Sequence, residues 1–196
     1  MKKLTVAFLV DDLQPSKYVI DLISFVKKED NFNDPIIITG YKPKISITFF
    51  QKFKKIIREN PKSFFNIFCK ILLIKIIRKI EIKSVIQKFP KFAFMTDNKF
   101  LESFQIIKVI GSWSKSGLYL EFTDEDLNSI YQKNLDCIIR CGSGILRGNI
   151  LSITKFGVIS IHGGDNRVNR GGPSGFWEVL NGEPSSGFII QKLNEE

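Results

Sequence analysis

Cysteine is scarce. Cys69, Cys137 and Cys141 are the only three in 196 residues, too few for an evident disulfide framework. No cleavable signal segment opens the chain either, and together these point to a reducing, cytoplasmic compartment. Read as a strand, residues 136–141 put Cys137 and Cys141 on one face about 13 Å apart at ~3.3 Å per residue. That is too far for one disulfide or one metal ion, so both are expected in the core and no metal is expected. No Gly-x-Gly-x-x-Gly follows the first apolar run, which removes the dinucleotide fingerprint and the expectation of NAD or FAD. Internal repeats, low-complexity linkers and recognisable RNA-binding motifs are also lacking. Histidine occurs once, as His162.

What is there reads as one globular domain, 43% hydrophobic and 25% charged, large enough for a real core. The formal charge of +9 is not spread evenly: residues 50–92 carry 12 Lys or Arg against 2 Glu, leaving 17 basic and 18 acidic residues elsewhere. Pro61 and Pro90 bracket a helix in this basic insert. Its longest aliphatic run is Ile71 to Ile74, and Lys70, Lys75, Arg78 and Lys79 interrupt it too often for a span of ~20 mostly apolar residues. At about 100° per residue these cations cover half the helix circumference, leaving an apolar arc to face either the domain or an anionic membrane surface. The sequence therefore admits a membrane-peripheral location.

"LTVAFLVDD" reads as a buried first strand. A helix follows, starting at Pro15 and Ser16 and burying Val19, Leu22, Ile23 and Val26, and "DPIIITG" is a second buried strand. This order predicts a parallel α/β sheet. "FQIIKVIGSWSKSGLYLEF" holds one or two strands around a turn at Gly111 to Gly117. Thr123 and Asp126 form a capping box opening a helix whose buried face is Leu127, Ile130 and Tyr131. "DCIIRCGSGIL" is a buried strand entering a glycine-bearing loop, a short helical stretch follows near 149–154, and Gly157 to His162 is another strand. His162 thus falls at a carboxyl strand end, the edge where open α/β sheets bind ligands.

Beyond His162, "GGDNRVNRGG" exposes backbone amides and supplies Asp165, Asn166, Arg167, Asn169 and Arg170 for hydrogen bonding. Pro173 and Ser174 start a helix, with Phe176, Trp177 and Leu180 expected to pack inward and its positive end toward the loop. An anionic or carbonyl-bearing ligand suits such a place.

In order, the chain carries Gly157, Ser160 and His162, then Arg170 and Gly171, Trp177, then Asn181, Gly182 and Glu183, and Ser186 and Gly187 before "FIIQKL". This order resembles the amino-terminal catalytic domain of the formyltransferase family, which includes methionyl-tRNA, glycinamide ribonucleotide and amino-sugar formyltransferases. The likeness covers roughly residues 135–196, with weaker agreement in the first two strands; residues 50–92 have no counterpart. It implies a Rossmann-like α/β domain over residues 1–196 with a mostly parallel open sheet and flanking helices. It further implies formyl transfer from 10-formyltetrahydrofolate to an amine, with His162 and Ser160 catalytic and Cys141, Gly142, Ile145 and Leu146 lining the donor pocket. Asp165, Asn166, Arg167 and Arg170 would then bind the acceptor.

The family's asparagine is Ser160 here. Its orienting aspartate, just after the strand matching Phe188 to Leu193, would fall past Glu196, so the expectation is a domain cut short at its carboxyl end; Asp165, on a loop, is poorly placed to replace it. The Asn- and Arg-rich wording favours a small-molecule amine, an amino sugar or nucleotide-linked amino sugar, over tRNA. The competing class is a non-catalytic ligand-binding or membrane-peripheral module.

Overall fold

A continuous run of apolar or β-branched residues suits burial on both faces, and Val6–Leu9 (β1) and Ile36–Thr39 (β2) are buried at every position. The computed structural model describes residues 2–40, 64–90, 99–142, 144–164, 167 and 176–195. Between β1 and β2 runs α1 (Lys17–Lys28), which buries Val19, Ile20, Ile23 and Val26. Lys27 and Lys28 in its last turn complement the helix dipole. The basic insert contributes α2 (Phe64–Lys88), and a one-turn α3 (Lys99–Glu102) leads into β3 (Gln105–Lys108). Two short strands, β4 (Ser112–Trp113) and β5 (Tyr119–Glu121), precede α4 (Asp124–Tyr131). Then come β6 (Cys137–Arg140), β7 (Ile145–Leu146), a 3-10 turn at Gly148–Ser152, β8 (Val158–Gly163), α5 (Phe176–Leu180) and β9 (Phe188–Lys192).

Six strands form one sheet in the order β3-β2-β1-β6-β8-β9. All neighbours are parallel except β8 and β9. The fold is therefore α/β with a mostly parallel sheet, as the strand, helix, strand order predicts. Helices cover both faces. One apolar cluster packs α1, Leu101 and Phe104 on Val6, Phe8, Val10 and Ile37. The other packs Ile130, Leu135, Ile150 and Leu151 on Ala7, Leu9, Ile38, Ile138 and Val158. Each fully buried Phe, Leu or Ile here contributes about 1.5–3 kcal/mol. A separate three-stranded sheet, β4-β5-β7, lies past the carboxyl end of β6.

The capping box forms as expected: Asp126 N donates to Thr123 Oγ1 at 3.2 Å and Thr123 N to Asp126 Oδ2 at 3.3 Å. Asp126 does more, accepting from Ile110 N and Gly111 N at 3.0 Å each, so the same carboxylate ties the chain leaving β3 to α4. Burial alone would raise its pKa. The amide donors of Ile110, Gly111 and Thr123 and the Thr123 hydroxyl outweigh that and hold it below the usual value.

Three expectations are corrected. The 105–121 region holds three strands rather than one or two, because the turn at Gly111 starts a second sheet instead of extending the first. On α4, Ile130 is buried and Leu127 half-buried, but Tyr131 is 67% exposed; an eight-residue helix meets the sheet over a narrower arc than its apolar spacing allows. In α5, Phe176, Trp177 and Leu180 are exposed while Glu178 is 7% exposed. A carboxylate holds that helix, accepting from Ser186 Oγ at 3.4 Å. Along α2, no residue whose burial is described is buried, and Leu72, Leu73, Ile76, Ile77 and Ile80 are all exposed.

Candidate functional site

The strand order reverses between β1 and β6: from β1 the chain adds β2 and β3 on one side, and from β6 it adds β8 and β9 on the other. The loops leaving neighbouring strands at such a point part in opposite directions and open a crevice at the carboxyl edge. Cys141 N donates to Leu9 O at 2.8 Å, closing the crevice floor. The β1 loop turns through Asp12, whose Oδ1 accepts from Gln14 N at 2.8 Å, and enters α1 behind Ser16.

Register decides which side chains meet there. Leu9, Arg140, Ser160 and Gln191 are successive partners across four strands, so they form one row on one face, with neighbouring strands ~4.8 Å apart. His162 pairs with Ile189 and lies two residues beyond Ser160, on the same face ~6.6 Å further toward the edge. The structure therefore brings His162 and Ser160 together and adds Arg140. Ser160 is buried, and its hydroxyl donates to the Ile161 carbonyl at 3.5 Å, a long bond that leaves the oxygen's lone pairs available. His162 is half-buried at the rim.

Cys141 is the floor. Burial pushes its thiol up to about 12, against a smaller pull downward from the Arg140 charge. Tyr18, in the first turn of α1, is raised by burial and then by Cys141, while a hydrogen bond with Ser16 works the other way. Cys141 packs with the α1-side cluster, on the sheet face opposite Arg140, Ser160 and His162, which lie in the row of Leu9. Arg140 and Tyr18 escaped the sequence reading. The alternation in "CIIRC" carried a signal for Arg140, because a cation two residues beyond buried Ile138 must occupy the same face near the strand end.

The remaining candidates separate. Gly142 continues from the crevice floor, whereas Ile145 is 53% exposed and Leu146, at 4%, is in the core with Ala7 and Ile138. That loop is braced by the small sheet: Ile145 N donates to Leu118 O at 2.7 Å, and Arg147 stacks 3.5 Å over the Tyr119 ring. Arg167 is exposed. Asp165, Asn166 and Arg170 lie outside the described residues, as do Asn169, Gly171, Pro173 and Ser174. The stretch after α5 is nevertheless tied to the strand of His162, since Gly164 N donates to Gly187 O at 2.8 Å.

No protein-family model matches this chain, and no curated protein matches it. The site must therefore be read from its own chemistry. Among the described residues no group of His, Cys, Asp and Glu is placed to hold a metal ion. Two open clefts, of about 530 and 340 Å³, lie at the opposite, amino-terminal edge of the sheet. The larger is lined by Lys155, Gly157 and Lys192 and the smaller by Thr5, Asn33 and Asp34, and neither includes His162. At the carboxyl edge, the imidazole and guanidinium on one face are hydrogen-bond donors suited to a carbonyl oxygen that gains charge, and the Ser160 oxygen beside them accepts.

Proposed function

We propose that this chain is a Rossmann-like, folate-dependent formyltransferase domain acting on an amine. The acceptor we favour is an amino sugar or nucleotide-linked amino sugar, ahead of methionyl-tRNA. One observation carries the reading: Arg140, Ser160 and His162 share a face at the carboxyl edge, next to the strand-order reversal. That is where the residues of the resemblance would have to be for acyl transfer. The bound 10-formyltetrahydrofolate would supply the formyl carbon and a nitrogen leaving group. His162 would accept the proton given up by the attacking amine, or donate to the formyl oxygen as it becomes negative. Ser160, shorter than the family's asparagine, would reach that oxygen through a water. Arg140 adds positive charge from the neighbouring strand.

A ligand-binding module without turnover is the second reading. It is favoured by the placement of Leu146 in the core and Ile145 in solvent, which leaves the donor pocket fewer apolar walls than the resemblance implies. Formyl transfer from 10-formyltetrahydrofolate to a panel of nucleotide-linked amino sugars separates the two. The first reading expects turnover that His162→Ala lowers by roughly 10²–10⁴-fold. Donor binding without transfer to any acceptor would establish the second.

A further inference from the structure

A helix packed on a domain hides one stripe of its surface; among the described side chains of α2 none is buried, and only Ile71 and Ile86 are half-buried. Leu73 and Ile80 are 57% and 61% exposed, and Leu72, Ile76 and Ile77 are exposed as well. Between 69 and 80, at 100° per residue, these five and Cys69 occupy an arc of about 140°, while Lys70, Lys75, Arg78 and Lys79 share the opposing half-turn with Ile71 and Ile74. Lys70 and Lys79 stand at the two borders of the apolar arc, where long stems reach past apolar surface and keep the ammonium in water. Over its whole length α2 carries six cations and one carboxylate, Glu81.

The second half of the helix inverts this order. Ile82, Val85 and Ile86 fall on the side that carries the lysines in the first half. This inversion rules on the occupant. A helical partner, including a second copy of this chain, needs an apolar seam sustained over three to four heptads; here the 69–80 seam ends after about three turns, and on the other side Lys75, Arg78 and Lys79 break the row of Ile71, Ile74, Ile82, Val85 and Ile86. A nucleic acid would use the cations but would leave five isoleucines and leucines in water, and this arc offers no aromatic ring for base stacking. A short amphipathic segment, apolar beneath and cationic at its flanks, matches an anionic bilayer surface. At 1.5 Å per residue it is ~18 Å long, and no described helix is long and apolar enough to cross a membrane.

We propose that the 69–80 segment of α2 lies flat on an anionic lipid surface, with Leu72, Leu73, Ile76, Ile77 and Ile80 in the acyl boundary and Lys70, Lys75, Arg78 and Lys79 among the headgroups. The inference stands apart from the formyl-transfer reading, since it uses no residue of the carboxyl-edge crevice.

Co-sedimentation of the full chain with vesicles of phosphatidylcholine, alone or with phosphatidylglycerol, tests it. Capture is expected only by the anionic vesicles and weakens as salt screens the charges. Leu73→Glu with Ile77→Glu lowers that capture by roughly tenfold, whereas Ile82→Glu, on the other side of the helix, changes it by less than about twofold. All three positions are exposed, so the melting temperature holds for both variants. Failure of anionic vesicles to capture the wild type, or indifference of capture to the Leu73 and Ile77 changes, overturns the proposal. So does a dimer that the same pair of changes dissolves, or retention of RNA that needs the lysines and ignores Leu73.

Discussion

At the scale of single residues, the three cysteines differ in their surroundings although all are free. Cys69 lies exposed on α2, while burial raises the thiol pKa of Cys137 and pushes Cys141 to about 12. A thiolate-selective reagent at pH 8 is therefore expected to modify one cysteine quickly in the native protein and the other two only on unfolding, with peptide mapping assigning the fast one to Cys69. Asp126 gives a second prediction. Its carboxylate accepts from three backbone amides, so Asp126→Asn should cost about 1–3 kcal/mol at neutral pH in a urea titration. Because its folded pKa is lowered, that contribution is present above the unfolded value of ~3.9 and lost as pH falls through the folded one. Wild type and variant should therefore converge in stability at low pH; a gap that persists there would assign the loss to packing instead.

At the scale of elements, the loop between β6 and β7 depends on Gly144. Its φ is +82°, and a Cβ there would lie 2.6 Å from the Trp113 ring. Gly144→Ala should destabilise the protein by more than about 1 kcal/mol, with a change in tryptophan emission showing that Trp113 has moved. The same loop shows what could be read from sequence. β1, α1, β2 and the Thr123 cap were legible because each is specified locally, by an apolar run, a 3.6-residue spacing or two side chains three residues apart. β4 and β5 were not, since strands of two and three residues exist only through their partners. The inward face of α5 was misread because five residues are too few for periodicity to outweigh one buried carboxylate. At the site, His162 and Ser160 were legible as a motif on one strand. Arg140 became visible only once register placed β6 beside β8.

At the scale of the whole molecule, the central sheet and α2 should behave as two regimes of stability. β1, β2 and β6 are enclosed on both faces, whereas no described side chain of α2 is buried, and isolated helices are marginal in water. Hydrogen exchange read by mass spectrometry should find peptides within 64–88 exchanging orders of magnitude faster than those of β1 and β6 in the absence of lipid. Equal protection would mean that α2 is covered in solution.

The pairing of β1 with β6 joins Val6 to Cys137, and Thr5 N donates to Asp136 Oδ2 at 2.8 Å across the same gap. The middle of the sheet is thus a contact between the beginning of the chain and a segment 131 residues later. At ribosomal rates of about 5–20 residues per second, β1 waits roughly 7–26 s for its inner neighbour. During that interval one edge of β1 stands open while the apolar, cationic α2 segment is already being synthesised. An exposed apolar segment thus precedes the strand that closes the sheet, and the interval before β6 emerges is when the open edge of β1 is unprotected.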